Sequence, residues 1–260
     1  MIARGLRGVH DAFSWLTVLP LPQPRGEFDR ARGATVIAAV PVVGAVLGLL
    51  AAAVAFGLSH TDLPSALAGV TVVAVLAATT RGMHLDGLAD TADGLGCYGD
   101  PDRVRAVMRS GDVGPFGAAT LVLVLLGQSL AFGALTADSR WWSLALAVVA
   151  GRTTATVACR AGLSAANTDG FGALVAGTQR ASIAVWAVLL LAVAVAAGGW
   201  NTGTFHAADA VRAAATVAVV WAFAWAFTGH CARRAGGLTG DVIGATIEVA
   251  TVLTAVGLLL

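Results

Sequence analysis

The sequence predicts an all-α, polytopic integral membrane helical bundle with about seven transmembrane helices, forming a single domain over residues 1–260. Three observations carry this. Hydrophobic residues make up 57% and charged residues 12% of the chain, with a mean hydropathy of +0.81, where an ordinary soluble domain is roughly 25% charged. The apolar runs are continuous and rich in Ala, Val and Leu rather than alternating, which favours helices over barrel strands. Finally, all sixteen Lys+Arg residues are arginines, and they gather on alternate loops.

The N-terminal stretch, MIARGLRGVHDAFSWLTVLPLP, opens with positive charge, is interrupted by His10 and Asp11, and ends in prolines without a small-residue cleavage site. It is expected to be retained, with residues 1–32 as a cytoplasmic or interfacial amphipathic segment. Runs of the length needed to cross the hydrocarbon core lie at about 33–57, 63–80, 115–136, 141–159, 183–199, 209–228 and 241–260. In the first, Gly44 and Gly48 have the spacing of a close helix contact. Arg4, Arg7, Arg25, Arg30 and Arg32 precede the first span. Arg81, Arg103, Arg105 and Arg109 lie in the second loop, Arg160 and Arg180 in the fourth, and Arg233 and Arg234 in the sixth, whereas the odd loops hold only Arg140. By the positive-inside rule the even loops face the cytoplasm of a multi-pass cell-membrane protein. Two arginines fall within spans: Arg212, near enough to an end to snorkel, and Arg152, deep enough to need an acid or a phosphate.

Several functions are disfavoured. A net charge of +1 gives no bulk attraction to nucleic acid. Cys97, Cys159 and Cys231 are far apart and suggest neither a disulfide frame nor a zinc site. His10, His60 and His206 read as surface histidines.

The chemistry concentrates at residues 81–114, expected as a cytoplasmic acidic catalytic loop containing GMHLDGLADTADGLG. Asp86, Asp90 and Asp93 are spaced i, i+4, i+7 and would share a helix face within about 60°. Like charges at that spacing destabilise a helix unless a cation sits among them. Carboxylate oxygens suit Mg²⁺, which takes one or two of them and fills its remaining positions with water and phosphate. A metal–diphosphate site and a solvated, turn-rich loop are both compatible with this spacing. Gly87 and Gly94 would let a ligand approach the backbone. A second cluster, HCARRAGGLTGDVIGA, combines Arg233 and Arg234 with Gly236, Gly237, Thr239 and Gly240, whose amides suit a phosphate, and with Asp241, a ligand or a helix cap. Two weaker stretches, MRSGDVGPFGA and the segment with Asn167 and Asp169, lie on the same predicted side.

Together, HLDGLADTADG, VMRSGDVGPFGA and GGLTGDVIGA, with WLTVLPLP and AAVPVVGAVLG near the N-terminus, resemble the cobalamin synthase family, the adenosylcobinamide-GDP ribazoletransferases, from about Phe13 to Ile247. One element departs: many members carry an acid, a serine and a basic residue where this chain has Ser110, Gly111 and Asp112. The resemblance implies joining of adenosylcobinamide-GDP to α-ribazole or its 5′-phosphate, with Mg²⁺ and release of GMP. In that frame Asp86 and Asp90 would hold Mg²⁺ across the diphosphate, with Asp93 a third ligand or the base. Asp241 would ligate a second ion from the opposite side, and His84 would take a proton or orient a carboxylate. Arg81, Arg233, Arg234, Gly237, Thr239 and Gly240 would meet the phosphates. Membrane lipid is an expected partner, and a homo-oligomer is left open. Two other readings are a CDP-alcohol-type membrane phosphotransferase, whose D-G-x-x-A-R pattern fails because Asp90 follows Ala89, and a cation transporter, whose acids would sit at mid-bilayer.

Overall fold

The computed structural model describes residues 2–22, 26–200 and 203–260, with no side-chain placement for residues 2–4. Arg25, and Asn201 and Thr202 of the fifth loop, lie outside the described residues, as does the side chain of Arg4. Among the described residues there are eleven α-helices and no strand, only two isolated bridges. The helices are α1 (Ile2–Leu16), α2 (Arg30–Leu58), α3 (Ser65–Thr79), α4 (Met83–Gly96), α5 (Pro101–Met108) and α6 (Pro115–Ala137). They continue with α7 (Trp141–Ala158), α8 (Gly170–Val175), α9 (Ala181–Gly199), α10 (Ala207–Ala235) and α11 (Gly240–Leu259).

Each predicted span coincides with a helix, but the spans are unequal. Five helices, α2, α6, α9, α10 and α11, are long and apolar enough to cross a bilayer. The helix α7 carries Arg152 and several threonines and is buried from Ser143 to Ala158 except at Val149, so the protein rather than lipid surrounds it. It is packed between α2 and α11. Glycine sets the first contact: a Cβ on Gly44 would come within 2.7 Å of the Arg152 Cβ, and one on Gly48 within 2.6 Å of the Ala145 carbonyl oxygen. The expected close contact thus joins α2 to α7.

The other short helix, α3, has 15 residues, and α4 turns 94° from its direction. Two consecutive left-handed residues make the corner, Arg81 at φ 56° and Gly82 at φ 66°. The expected acidic loop over residues 81–114 is largely helical, holding α4, where the spacing of Asp86, Asp90 and Asp93 predicted a helix face, and α5. From the corner α4 runs across the end of the bundle, resting on the first turns of α11 and α6. The helix α1 lies along α2, where Gly8 fits against Thr35. The pair α9 and α10 packs against α7 and α11, and the outer face of α9 is mostly exposed.

Candidate functional site

The helix α4 reaches α11 through glycines. A Cβ on Gly87 would lie 2.8 Å from the Asp241 Cα and carbonyl oxygen, and a Cβ on Gly244 would lie 3.1 Å from the His84 Cα. In the sequence, Gly87 and Gly94 are expected to admit a ligand. Instead Gly87 admits the backbone of α11, and Gly94 admits the Met108 side chain of α5. This approach gathers acids from distant parts of the chain. Asp86 and Asp241 line one cavity, and the charges of Asp86, Asp241 and Asp93 all bear on Asp90. Burial first, and then these neighbouring carboxylates, push Asp90 up to about 6. Among the described residues, none of Asp86, Asp90 and Asp241 forms an ion pair.

Asp93 belongs elsewhere. It is buried, and its carboxylate accepts hydrogen bonds from the Gly114 amide at 2.7 Å and the Gly117 amide at 2.9 Å. Gly114 is the N-cap of α6 and has no side chain with which to cap it. Asp93 supplies the missing acceptor and a negative charge at the positive end of that helix. Of the expected metal set Asp86, Asp90, Asp93 and Asp241, Asp93 is thus engaged by the start of α6. Among the described residues, no group of three or more His, Cys, Asp or Glu side chains is set to hold a metal ion. Asp86, Asp90 and Asp241 nonetheless crowd like charges that a hard divalent cation would relieve, its other ligands coming from water and phosphate.

The remaining sequence-predicted residues divide by what they touch. Thr239 caps α11, accepting from the Val242 amide at 3.2 Å, and Gly240 lines the cavity beside Asp241. Gly237 packs against the Ala165–Ala166 backbone, where no Cβ fits. Arg81 donates to the Trp15 carbonyl at 2.9 Å, and Arg234 to the Cys97 carbonyl at 3.0 Å, at the C-terminus of α4. Both tie the corner helix to its neighbours. Arg233 is exposed. Arg212 pairs with Asp209 at 3.0 Å. Cys97, Cys159 and Cys231 are free thiols.

The arginine expected to need an acid or phosphate has an acid. Arg152 lies 3.3 Å from Glu248, and Gln128 donates to the other Glu248 carboxylate oxygen at 2.8 Å. Glu248 escaped the sequence reading; its signal was a lone acid within the last apolar run. His84 joins this group from above, its Nδ1 3.8 Å from Glu248 and without a hydrogen-bond partner among the described residues. Burial, and then the charge of Arg152, hold the imidazole neutral by keeping its pKa well below the usual range.

His84, Asp86 and Asp241 line a cavity of about 350 Å³ whose remaining walls come from Met83 of α4 and from α1, α2, α7, α8 and α11. A second cavity of about 200 Å³ shares Phe171, Gly240 and Asp241 with it and adds Asn167, Asp169 and Thr239. The stretch around Asn167 and Asp169, weak by itself in the sequence, is thereby part of the site.

Known proteins match this chain almost throughout. The family described as Cobalamin-5-phosphate synthase matches residues 8–259. An adenosylcobinamide-GDP ribazoletransferase of Corynebacterium efficiens is 37% identical, over 96% of this chain and 90% of the relative. The protein of that name from Frankia casuarinae is 38% identical, over 94% and 91%. That from Xanthobacter autotrophicus is 35% identical, over 96% and 94%. No solved structure matches. The chain belongs to the cobalamin-5-phosphate synthase family.

Proposed function

We propose that this protein transfers the adenosylcobinamide phosphate group from adenosylcobinamide-GDP to α-ribazole, or to its 5′-phosphate, releasing GMP. The observation that carries the reading is the approach of Asp86 on α4 to Asp241 on α11, which line one cavity, with Asp90 within reach of both charges, in a chain of this family. In the reaction a ribose hydroxyl oxygen bonds to the cobinamide-linked phosphorus. The bond from that phosphorus to the bridging oxygen breaks, and GMP leaves with the electron pair. His84, neutral and lining the cavity, takes the hydroxyl proton. Asp86, Asp90 and Asp241 would hold Mg²⁺. When bound there, the ion neutralises the diphosphate and its leaving group. The Gly240 amide, at the positive end of α11, would face the phosphates. Asp93 keeps α4 against α6. The site opens to the cytoplasm of a multi-pass membrane protein, the side on which the arginine-rich loops lie.

The test is GMP release by protein purified in detergent, measured over a magnesium titration for wild type, Asp86→Asn and Asp90→Asn. Loss of turnover with a raised magnesium requirement is expected. Near-wild-type turnover and an unchanged magnesium curve in both variants would remove these acids from the metal site.

A further inference from the structure

We infer that the 350 Å³ cavity receives the base of the acceptor: a flat, largely apolar heteroaromatic ring carried on a ribose. This rests on the transferase reading above and goes beyond it by assigning one substrate to one cavity. The walls are apolar over most of their extent: Ile37 and Val40 from α2, Ile243 and Ile247 from α11, and the rings of Trp15 and Phe171. The two rings stand 5.6 Å apart and tilted by 43°, forming an aromatic corner. Trp15 is fixed on both sides, stacked on Phe28 at 3.9 Å and held through its carbonyl by Arg81. Polar groups enter from His84, Asp86 and Asp241. An occupant must therefore be apolar along most of its length and polar where it meets them.

α-Ribazole, the riboside of a dimethylated benzimidazole, has this form. Its ring and methyl groups bury against the aliphatic wall, and its ribose meets the carboxylates and the imidazole that takes the proton. The donor does not have this form. A corrinoid is broad and rimmed with amides, and guanine carries a row of donors and acceptors that an apolar wall would leave unpaired at a cost. The neighbouring cavity offers Asn167, Asp169 and Thr239 for such an edge. Both cavities include Gly240 and Asp241. Acceptor and leaving nucleotide thus meet at one carboxylate, as transfer at a single phosphorus requires.

The test narrows the cavity and separates the two Michaelis constants. In Ile243→Phe, and in the milder Val40→Ile, the KM for α-ribazole should rise about 10-fold or more, the scale of a methylene or two in an apolar pocket. The KM for adenosylcobinamide-GDP should stay within about two-fold. Should Ile243→Phe fail to fold, Val40→Ile and a measurement on the wild type carry the test. Free 5,6-dimethylbenzimidazole should inhibit competitively against α-ribazole and not against the donor. A rise in the donor KM would overturn the assignment, and so would no change in either constant, the result expected if the cavity only meets lipid. If the wild type releases no GMP from adenosylcobinamide-GDP with either acceptor, the transferase reading itself fails. If GMP is released and only the donor KM responds, the reading stands and the cavity assignment falls.

Discussion

Two groups of charge lie on one face of α11, seven residues and roughly 10 Å apart along its axis. At its first turn Asp241 meets Asp86 and Asp90, three acids with no ion pair among the described residues. Farther along, Glu248 meets Arg152, Gln128 and the neutral His84. The second group is balanced within the protein; the first is not. A fold leaves charge uncompensated where something from outside supplies the opposite sign, and compensates it where the role is to hold helices together. His84 belongs to both groups, since it lines the cavity above and lies against Glu248 below.

The comparison is easiest to break at the balanced group. Glu248→Leu leaves Arg152 buried without its acid and should destabilise the protein by about 3–5 kcal/mol. Arg152→Leu combined with Glu248→Leu should recover most of that loss. Denaturant unfolding in detergent measures both, and a double variant no better than the single would show that the pair is not the source. At the unbalanced group the order reverses. Asp241→Asn should leave folding nearly unchanged while lowering GMP release by about 10²- to 10³-fold, the scale of a lost metal ligand. Loss of folding without a specific loss of turnover would make Asp241 a structural residue.

Asp93 sharpens the boundary between the groups. Asp93→Ala removes the cap of α6 and should cost about 1–2 kcal/mol of stability. The magnesium concentration for half-maximal activity should stay unchanged; a large shift would return Asp93 to the metal set. The smallest effect is in pH. Because Asp90 is raised to about 6, its ionised form is held at a cost above that pH, and the cost disappears as pH falls below it. Magnesium requires the ionised form. Its thermal stabilisation of the protein should therefore be larger at pH 7.5 than at pH 5, and equal stabilisation at both would separate Asp90 from the ion.

The sequence carried the helices and most of the acids, for different reasons. Hydropathy registers every apolar run, so each predicted span has its helix. It does not register which neighbour is lipid and which is protein, so the enclosure of α7 was hidden. Asp86 and Asp90 were legible because one turn of one helix separates them, and Asp241 because a glycine-rich helix start precedes it. Asp93 shares their spacing, yet the spacing says nothing of the uncapped start at Gly114 that claims it. A Gly-Pro helix start without its own side-chain acceptor is a signal that another segment must cap it. The corner after α3 was not foreseen: Gly82 is a residue type that suits a turn, whereas Arg81, the other left-handed residue, has a side chain that gives no such sign. Arg152 announced the need for an acid, but pairing it with Glu248, 96 residues away, requires the fold.

That separation has a consequence for how the chain is built. An arginine at the centre of a lone helix costs about 2.5–3.5 kcal/mol to insert into a bilayer, and α7 emerges from the ribosome well before the segment bearing Glu248. Until α11 arrives, α7 must wait in the insertion machinery, among its neighbours, or with its guanidinium drawn to an edge. Translation that halts before Glu248 would therefore leave a chain whose Arg152 guanidinium lacks the acid that neutralises it in the finished fold.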